Sequence, residues 1–201
     1  MSHYFEEDPN LASNIKEIRF EVNGLTMKLL TDNGVFSKNN VDEGSLAFLK
    51  VLLPLDLGKD ILDLGSGYGT IGLTLAKAHA EVRVTLAEIN SRAVALCKRN
   101  AELLNLSQRV TILQSDIYEK IEGPYDSIVV NPPIRAGKKV TYAMYEGAKQ
   151  YLIDGGSLYI VIRKAQGAPS ASKYIESIFG NITLLKRDKG YYIYRATKSK
   201  Q

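Results

Sequence analysis

Cysteine and histidine are nearly absent: Cys97 stands alone, and His3 and His79 lie far apart. That excludes an intramolecular disulfide framework and any multi-cysteine or His-cluster metal site, so no metal is expected. Also missing is any run approaching eighteen apolar residues, which excludes a membrane-spanning helix by length. The opening, Met1-Ser-His-Tyr-Phe-Glu-Glu-Asp8, is acidic where a secretory signal carries positive charge. The expected compartment is therefore the reducing cytoplasm, with no membrane partner. Internal repeats, low-complexity tracts and Pro/Ser-rich linkers are lacking too, which favours one compact unit, compatible with a monomer, and leaves the oligomeric state open. What remains is 201 residues, 45% hydrophobic and 24% charged. A chain of that size buries roughly 70% of its unfolded surface and needs no staple.

Charge is unevenly spread. From Arg163 onward nine Lys/Arg face only Glu176 and Asp188, a surplus of seven, so residues 1–162 carry −3 of the total +4. A basic C-terminal third points to a polyanionic partner.

The apolar alternation of Ile18–Val22 and Leu25–Leu29 around Asn23-Gly24 predicts a β-hairpin. Asp42 then caps a helix carrying Leu46, Leu49, Val51 and Leu52, which Pro54 stops. Beyond it strands and helices alternate: strand Asp60–Leu64, helix Thr70–His79, strand Val82–Ala87, helix Arg92–Leu104, strand Val110–Leu113 and strand Ser127–Val130. A helix over Val140–Ile153 ending at Gly155-Gly156, strand Leu158–Ile162, helix Ser170–Phe179 and strands Ile182–Lys186 and Tyr191–Arg195 complete the pattern. Such alternation means an α/β fold with a doubly wound, mostly parallel sheet. Only Arg187–Gly190 separates the last two strands, far short of a parallel crossover, so the final strand returns antiparallel. The expected layout is an N-terminal extension, hairpin and helix, over residues 1–57, packed on a main domain over 58–201.

Two constellations carry chemistry. In Asp63-Leu-Gly65-Ser66-Gly67-Tyr-Gly69, between a strand and a helix, glycines let the backbone turn sharply and approach a ligand closely. Glu88, at the end of the next strand, can accept both hydroxyls of a ribose. Gly67-Tyr-Gly-Thr-Ile-Gly72 also satisfies the dinucleotide spacing, but Asp63 would repel a pyrophosphate and suits the ammonium group of S-adenosylmethionine, directly or through water. Asp116 offers an acceptor for an adenine amino group, or else a helix cap, and Ile117 an apolar face. The second constellation is Asn131-Pro132-Pro133-Ile134 at the end of a buried strand, where ligands bind in open sheets. The Asn131 side-chain oxygen and a proline carbonyl are acceptors able to hold both hydrogens of a planar NH2 group and favour its rehybridisation toward a nucleophile. Arg135, Lys138 and Lys139 follow at once, placed for phosphates around an extruded base. Cys97 reads as a small core residue, and Tyr142 and Tyr145 as the covering of a helix face or else, from their place after the Asn131 turn, as base contacts.

These motifs resemble the class I methyltransferases over residues 58 to 197. More narrowly, Gly34-Val-Phe-Ser-Lys38, Asp42-Glu-Gly-Ser45, Asn131-Pro-Pro-Ile-Arg-Ala-Gly137 and Gln166-Gly-Ala-Pro-Ser170 resemble the small-subunit ribosomal RNA guanine-N2 methyltransferases. The resemblance implies a Rossmann-like seven-stranded sheet of order 3-2-1-4-5-7-6, S-adenosylmethionine as cofactor, and ribosomal RNA or the small ribosomal subunit as partner. Cofactor contacts are then expected from Asp63, Gly65, Ser66, Gly67, Gly69, Glu88, Ile89, Asp116, Ile117 and Phe36, and catalytic contacts from Asn131, Pro132, Pro133 and Ile134. Two features depart from the family pattern. Ile134 stands where a base-stacking Phe or Tyr is common, and 201 residues leave no room for the second, noncatalytic half of better-known members. Competing readings are amide methylation of a protein glutamine, adenine-N6 methylation of DNA and a noncatalytic RNA-binding module. The first two normally pair Asn-Pro-Pro with an aromatic; intact glycines and acids disfavour the third. A nicotinamide oxidoreductase does not explain Asn131-Pro-Pro133.

Overall fold

A computed structural model of the chain describes residues 7–201; His3 lies outside them. Strands β1 (Lys16–Val22) and β2 (Leu25–Thr31) pair antiparallel around Asn23 and Gly24, both at positive φ (48° and 79°). That is the backbone a two-residue hairpin turn requires, and Asn-Gly tolerates it best. Ile18, Phe20, Val22, Met27 and Leu29 all turn to one side and are buried. Helix α1 (Glu43–Leu52) follows, its N-terminus capped by the Asp42 carboxylate, which accepts from the Ser45 amide at 3.0 Å.

The main sheet is built from β3 (Asp60–Leu64), β4 (Arg83–Glu88), β5 (Val110–Gln114), β6 (Tyr125–Val130), β7 (Leu152–Arg163), β8 (Thr183–Asp188) and β9 (Tyr191–Thr197), in the order β5-β4-β3-β6-β7-β9-β8. Counted within this sheet, that is 3-2-1-4-5-7-6, and only β9 runs antiparallel to its neighbours, as the short final turn requires. Helices α2 (Thr70–Ala78) and α3 (Ser91–Leu103) join β3 to β5, while α4 (Lys138–Tyr151) and α5 (Ala168–Phe179) cover the other half. Alternate strand residues feed opposite cores. Ile61, Val84, Leu86, Val129, Val161 and Ile193 meet α1, α2, α3 and the hairpin. Leu62, Leu64, Ile128, Val130, Ile160 and Ile162 meet α4 and α5. Cys97 is buried in the first of these cores.

Most element ends shift by a residue or two from expectation, and the start of β7 shifts most. The chain passes directly from α4 into β7 at Leu152, and Gly155 and Gly156 lie inside the strand instead of ending a helix. Pairing slips there, from Tyr125 opposite Leu152 to Ser127 opposite Ser157, so the glycines form a bulge. A side chain on Gly156 would stand 2.9 Å from the Asp126 carbonyl. At its other end α4 starts at Lys138, before Val140, because its cap is Gly137 at φ 90°, which has no side chain to announce it.

The hairpin is tied to α3 by polar bonds as well as apolar packing. Asn100 on α3 is buried; its Nδ2 donates to the Leu30 and Tyr68 carbonyls (3.0 Å each) and its Oδ1 accepts from the Leu30 amide at 2.7 Å. Asn100→Ala should therefore lower unfolding free energy by about 1–3 kcal/mol, because three buried backbone groups lose their partner. A denaturant midpoint unchanged from wild type would contradict that tether.

Candidate active site

The carboxyl ends of β3 and β4 build one half of the site. After Leu64 the chain turns through Gly65, Gly67 and Gly69, all at positive φ, with the Gly65 and Ser66 amides donating to the Ala87 carbonyl (2.8 and 3.0 Å). Glu88 braces the same loop: Oε1 accepts from the Gly67 amide (3.0 Å) and Oε2 from Asn90 (2.8 Å). Burial raises its carboxyl above the usual range and these amides oppose that. A carboxylate has about four acceptor positions, so two remain for hydroxyls.

Asp63 sits behind the loop, only 1% exposed, with Oδ2 accepting from the Gly72 amide at 2.8 Å. Burial pushes its carboxyl up to about 7, the Gly72 amide pulls it down, and nearby Glu88 raises it further. A Cβ at Gly72 would lie 2.7 Å from Leu86 and 2.9 Å from Asp63 Oδ2, so this contact needs glycine. Oδ1 of Asp63 accepts no hydrogen bond among the described residues.

The other half comes from β6 and α4. A cleft between the halves is lined by Leu64, Gly65, Ala87, Glu88, Ile89, Ser115, Ile117, Pro133, Val140 and Met144. Gly65, Glu88, Ile89, Ile117 and Pro133, from separate motifs, thus share one cleft lining. Leu64, Ala87, Val140 and Met144 were not singled out in the sequence, since a cleft-lining apolar residue is written like a core residue. Ile117 carries a positive φ of 52° at the cleft wall. For a β-branched residue this conformation costs about 1–3 kcal/mol, the kind of strain that collects at ligand sites. Ser66 Oγ is buried without a hydrogen-bond partner among the described residues, beside the same loop.

Six of the expected cofactor contacts lie outside this lining: Asp63, Ser66, Gly67 and Gly69 in and behind the glycine loop, and the exposed Asp116 and Phe36. Phe36 is 62% exposed and outside the cleft lining. Its neighbour Val35 packs inward, and the Tyr68 hydroxyl holds the loop by donating to the Ser37 carbonyl at 3.1 Å. Asp116 is exposed and starts no helix: Ser115–Lys120 is a turn in which Glu119 N–H donates to the Asp116 carbonyl (3.0 Å). In the chain it stands between Ser115 and Ile117, both of which line the cleft.

Asn131 is half-buried, and its Nδ2 donates to Ser45 Oγ at 3.1 Å and Asp42 Oδ2 at 3.3 Å. Both donors are engaged, so Oδ1 projects away from this pair and accepts nothing among the described residues. Pro133's carbonyl is taken by the Ala136 amide (2.9 Å), which closes the 3-10 turn Ile134–Ala136, whereas Pro132's receives no hydrogen bond among the described residues. Two unpaired acceptors are left on adjacent residues. Ile134 packs at the margin of the α4–α5 core. Tyr145 is fully buried, and Tyr142 stacks on Tyr174 at 4.3 Å.

Arg135, Lys138 and Lys139 are exposed beside this turn. The two lysines occupy the first turn of α4, where the helix dipole repels cations. The basic C-terminal third does not form one patch. Arg163 and Lys164, at the end of β7, and Lys189, in the β8–β9 turn, share the carboxyl edge with Asn131. Lys198 and Lys200 lie by Leu152 and Gly155, at the opposite edge. Among the described residues no group of three His, Cys, Asp or Glu is arranged for a metal, and no helix is long and apolar enough to cross a membrane.

Residues 26–195 match the family profile described as methyltransferase small domain. The uncharacterized protein YbxB of Bacillus subtilis (strain 168) is 39% identical over 198 residues, covering 98% of each chain. Ribosomal RNA small subunit methyltransferase C of Salmonella newport is 29% identical over 200 residues, which is 98% of this chain but 56% of that protein. Among solved structures, the T. thermophilus 16S rRNA N2 guanine methyltransferase RsmC, in complex with AdoMet and guanosine, superposes with a TM-score of 0.83 at 28% identity. That match covers 96% of this chain and 53% of RsmC.

Proposed function

The chain belongs to the methyltransferase small domain family, and from that premise we propose that it transfers a methyl group from S-adenosylmethionine to an exocyclic amine, guanine N2 of small-subunit ribosomal RNA. The observation that carries the reading is the pair of unpaired acceptors, Asn131 Oδ1 and Pro132 O, beside a cleft walled by Gly65, Glu88 and Ile117.

The residues present fit this cofactor. Glu88 keeps acceptor capacity for ribose hydroxyls, Ile89 and Ile117 give an apolar wall for a purine, and Asp116, next to Ile117 in the chain, suits its amino group. The unpartnered Ser66 hydroxyl and the free Asp63 oxygen suit the charged ends of an amino acid. When bound, S-adenosylmethionine supplies an electrophilic sulfonium methyl. Asn131 Oδ1 and Pro132 O take both hydrogens of the target NH2, draw its nitrogen from planar toward tetrahedral, and stabilise the positive charge that grows on it. Neither group needs to be ionised or covalently altered.

Guanine in ribosomal RNA is the preferred amine because the relatives named for that activity align over nearly all of this chain, and because the exposed Arg135, Lys138 and Lys139 follow the acceptor pair within seven residues. Such a protein works in the cytoplasm, and residues 1–57 serve the main domain as part of the active unit. The test is to incubate the protein with methyl-labelled cofactor and, separately, ribosomal RNA, small subunits and release factor. Label on guanine N2 of small-subunit RNA is expected; label only on a protein glutamine would overturn the assignment. If the three cations each meet a phosphate, RNA affinity should fall roughly 20-fold between 50 and 200 mM salt, at a slope of about −0.7 per contact. Replacing all three by Gln should flatten that dependence, and an equally steep slope in the variant would remove them from the interface.

A further inference from the structure

Asp42 starts α1, but its carboxylate does a second thing: the same Oδ2 that caps the helix through the Ser45 amide (3.0 Å) also accepts from Asn131 Nδ2 (3.3 Å). Ser45, one turn on and buried, accepts from Asn131 at 3.1 Å. We propose that Asp42 and Ser45 are positioning residues for methyl transfer, fixing the Asn131 carboxamide so that its oxygen and not its NH2 faces the amine. The inference rests on the proposed role of Asn131 in binding that amine.

The physical reason is donor and acceptor arithmetic. The terminal torsion of asparagine is broad and nearly two-fold, so an untethered Asn131 would present oxygen or nitrogen to the amine with little preference. An NH2 group facing a substrate NH2 offers donors to donors. Ser45 does not settle the choice, because a hydroxyl both donates and accepts. Asp42 settles it: a carboxylate only accepts, so turning Asn131 over would set oxygen against oxygen. The charge also strengthens the bond and polarises the amide, which makes Oδ1 the better acceptor.

The first turn of α1 is held in place for this. A side chain on Gly44 would stand 2.9 Å from the Tyr191 ring and 3.1 Å from Asp42 Oδ2, and Glu43 reaches Arg163 at 4.0 Å. In the segment Asp42-Glu-Gly-Ser45, Asp42 and Ser45 thus meet Asn131 at the end of β6, Gly44 meets the start of β9 and Glu43 the end of β7.

Asp42→Ser and Asp42→Asn separate positioning from capping. Serine is as good a helix cap as aspartate but too short to reach Asn131; asparagine keeps an oxygen at the same reach. In single-turnover transfer to small ribosomal subunits at saturating cofactor, Asp42→Ser should be slower by about 10–100-fold, with cofactor affinity and melting temperature near wild type, as for a slightly misplaced catalytic group. Asp42→Asn should return to within about fivefold. In an Asn131→Ala background, Asp42→Ser should add less than about twofold, because a group acting only through Asn131 has nothing left to act on. A full additive loss in that background, or an unimpaired Asp42→Ser where Asn131→Ala is slow, would overturn the proposal. A second readout needs no substrate. The Asn131 side-chain NH2 resonances, assigned by their loss in Asn131→Ala, should move in Asp42→Ser and stay close to wild type in Asp42→Asn. Unmoved resonances in Asp42→Ser would overturn the proposal even if no RNA accepts a methyl group, a result that by itself would count only against the functional reading.

Discussion

Replacing Asn131 by alanine should slow methyl transfer by about 10²–10³-fold while S-adenosylmethionine affinity stays within a few-fold, the effect of deleting one preorganised acceptor aimed at developing charge. The split follows from where the residue sits. Its carboxamide is anchored on Asp42 and Ser45, whereas the loop and acids assigned to the cofactor are braced among themselves through Ala87, Glu88 and Asp63. Single-turnover transfer at saturating cofactor is the measurement, and a near-wild-type rate would dismiss Asn131 from the chemistry. Asn131→Asp should also be severely impaired. A carboxylate there still offers acceptors, but one oxygen would replace an NH2 that now lies 3.3 Å from Asp42 Oδ2, setting two negative groups against each other.

That repulsion could not be read from the sequence, because Asp42 and Asn131 are 89 residues apart. Sequence pattern reports local geometry well. The short apolar run of Ile61–Leu64 and the turn of Gly65–Gly69 give strand, loop and helix in one stretch, and the shortness of Arg187–Gly190 gives the reversed last strand. It is silent where one residue type has two uses. Asp42 is a sufficient helix cap on its own, so nothing signalled its second bond. Gly155-Gly156 reads equally as a helix stop and as a bulge, and only the pairing of β6 with β7 selects the bulge. Phe36 is written as an apolar residue in a motif, yet its neighbour Val35 takes the inward position. Asn100 resembled any polar residue on an amphipathic helix until β2 was placed beside it.

Asp63→Asn should make the cofactor-free protein at least as stable as wild type at pH 8 and yet weaken S-adenosylmethionine binding by about 5–150-fold, the equivalent of 1–3 kcal/mol for a lost charge-assisted contact. Asn keeps an oxygen for the Gly72 amide, which Asp63 now meets at 2.8 Å, so the loop stays braced. It removes a buried charge that the wild-type protein tolerates poorly. With its carboxyl pushed up to about 7 by burial, against 3.8 for an ordinary aspartate, folded Asp63 retains a proton that the unfolded chain releases. Its contribution to stability is therefore complete below about pH 4 and is lost as pH rises through about 7. Glu88, also raised by burial, acts in the same direction, which is why the Asp63→Asn difference and not the wild-type curve isolates this group. A cationic ligand reverses the preference by favouring the ionised form. Cofactor binding should therefore release protons below about pH 7 and tighten with pH by at most about tenfold per unit, levelling off above it. Calorimetry in buffers of different ionisation enthalpy, at pH 6 and 8, measures both affinity and proton release. If Asp63→Asn binds S-adenosylmethionine as tightly as wild type and releases as many protons at pH 6, the buried carboxylate braces Gly72 and has no part in holding the cofactor.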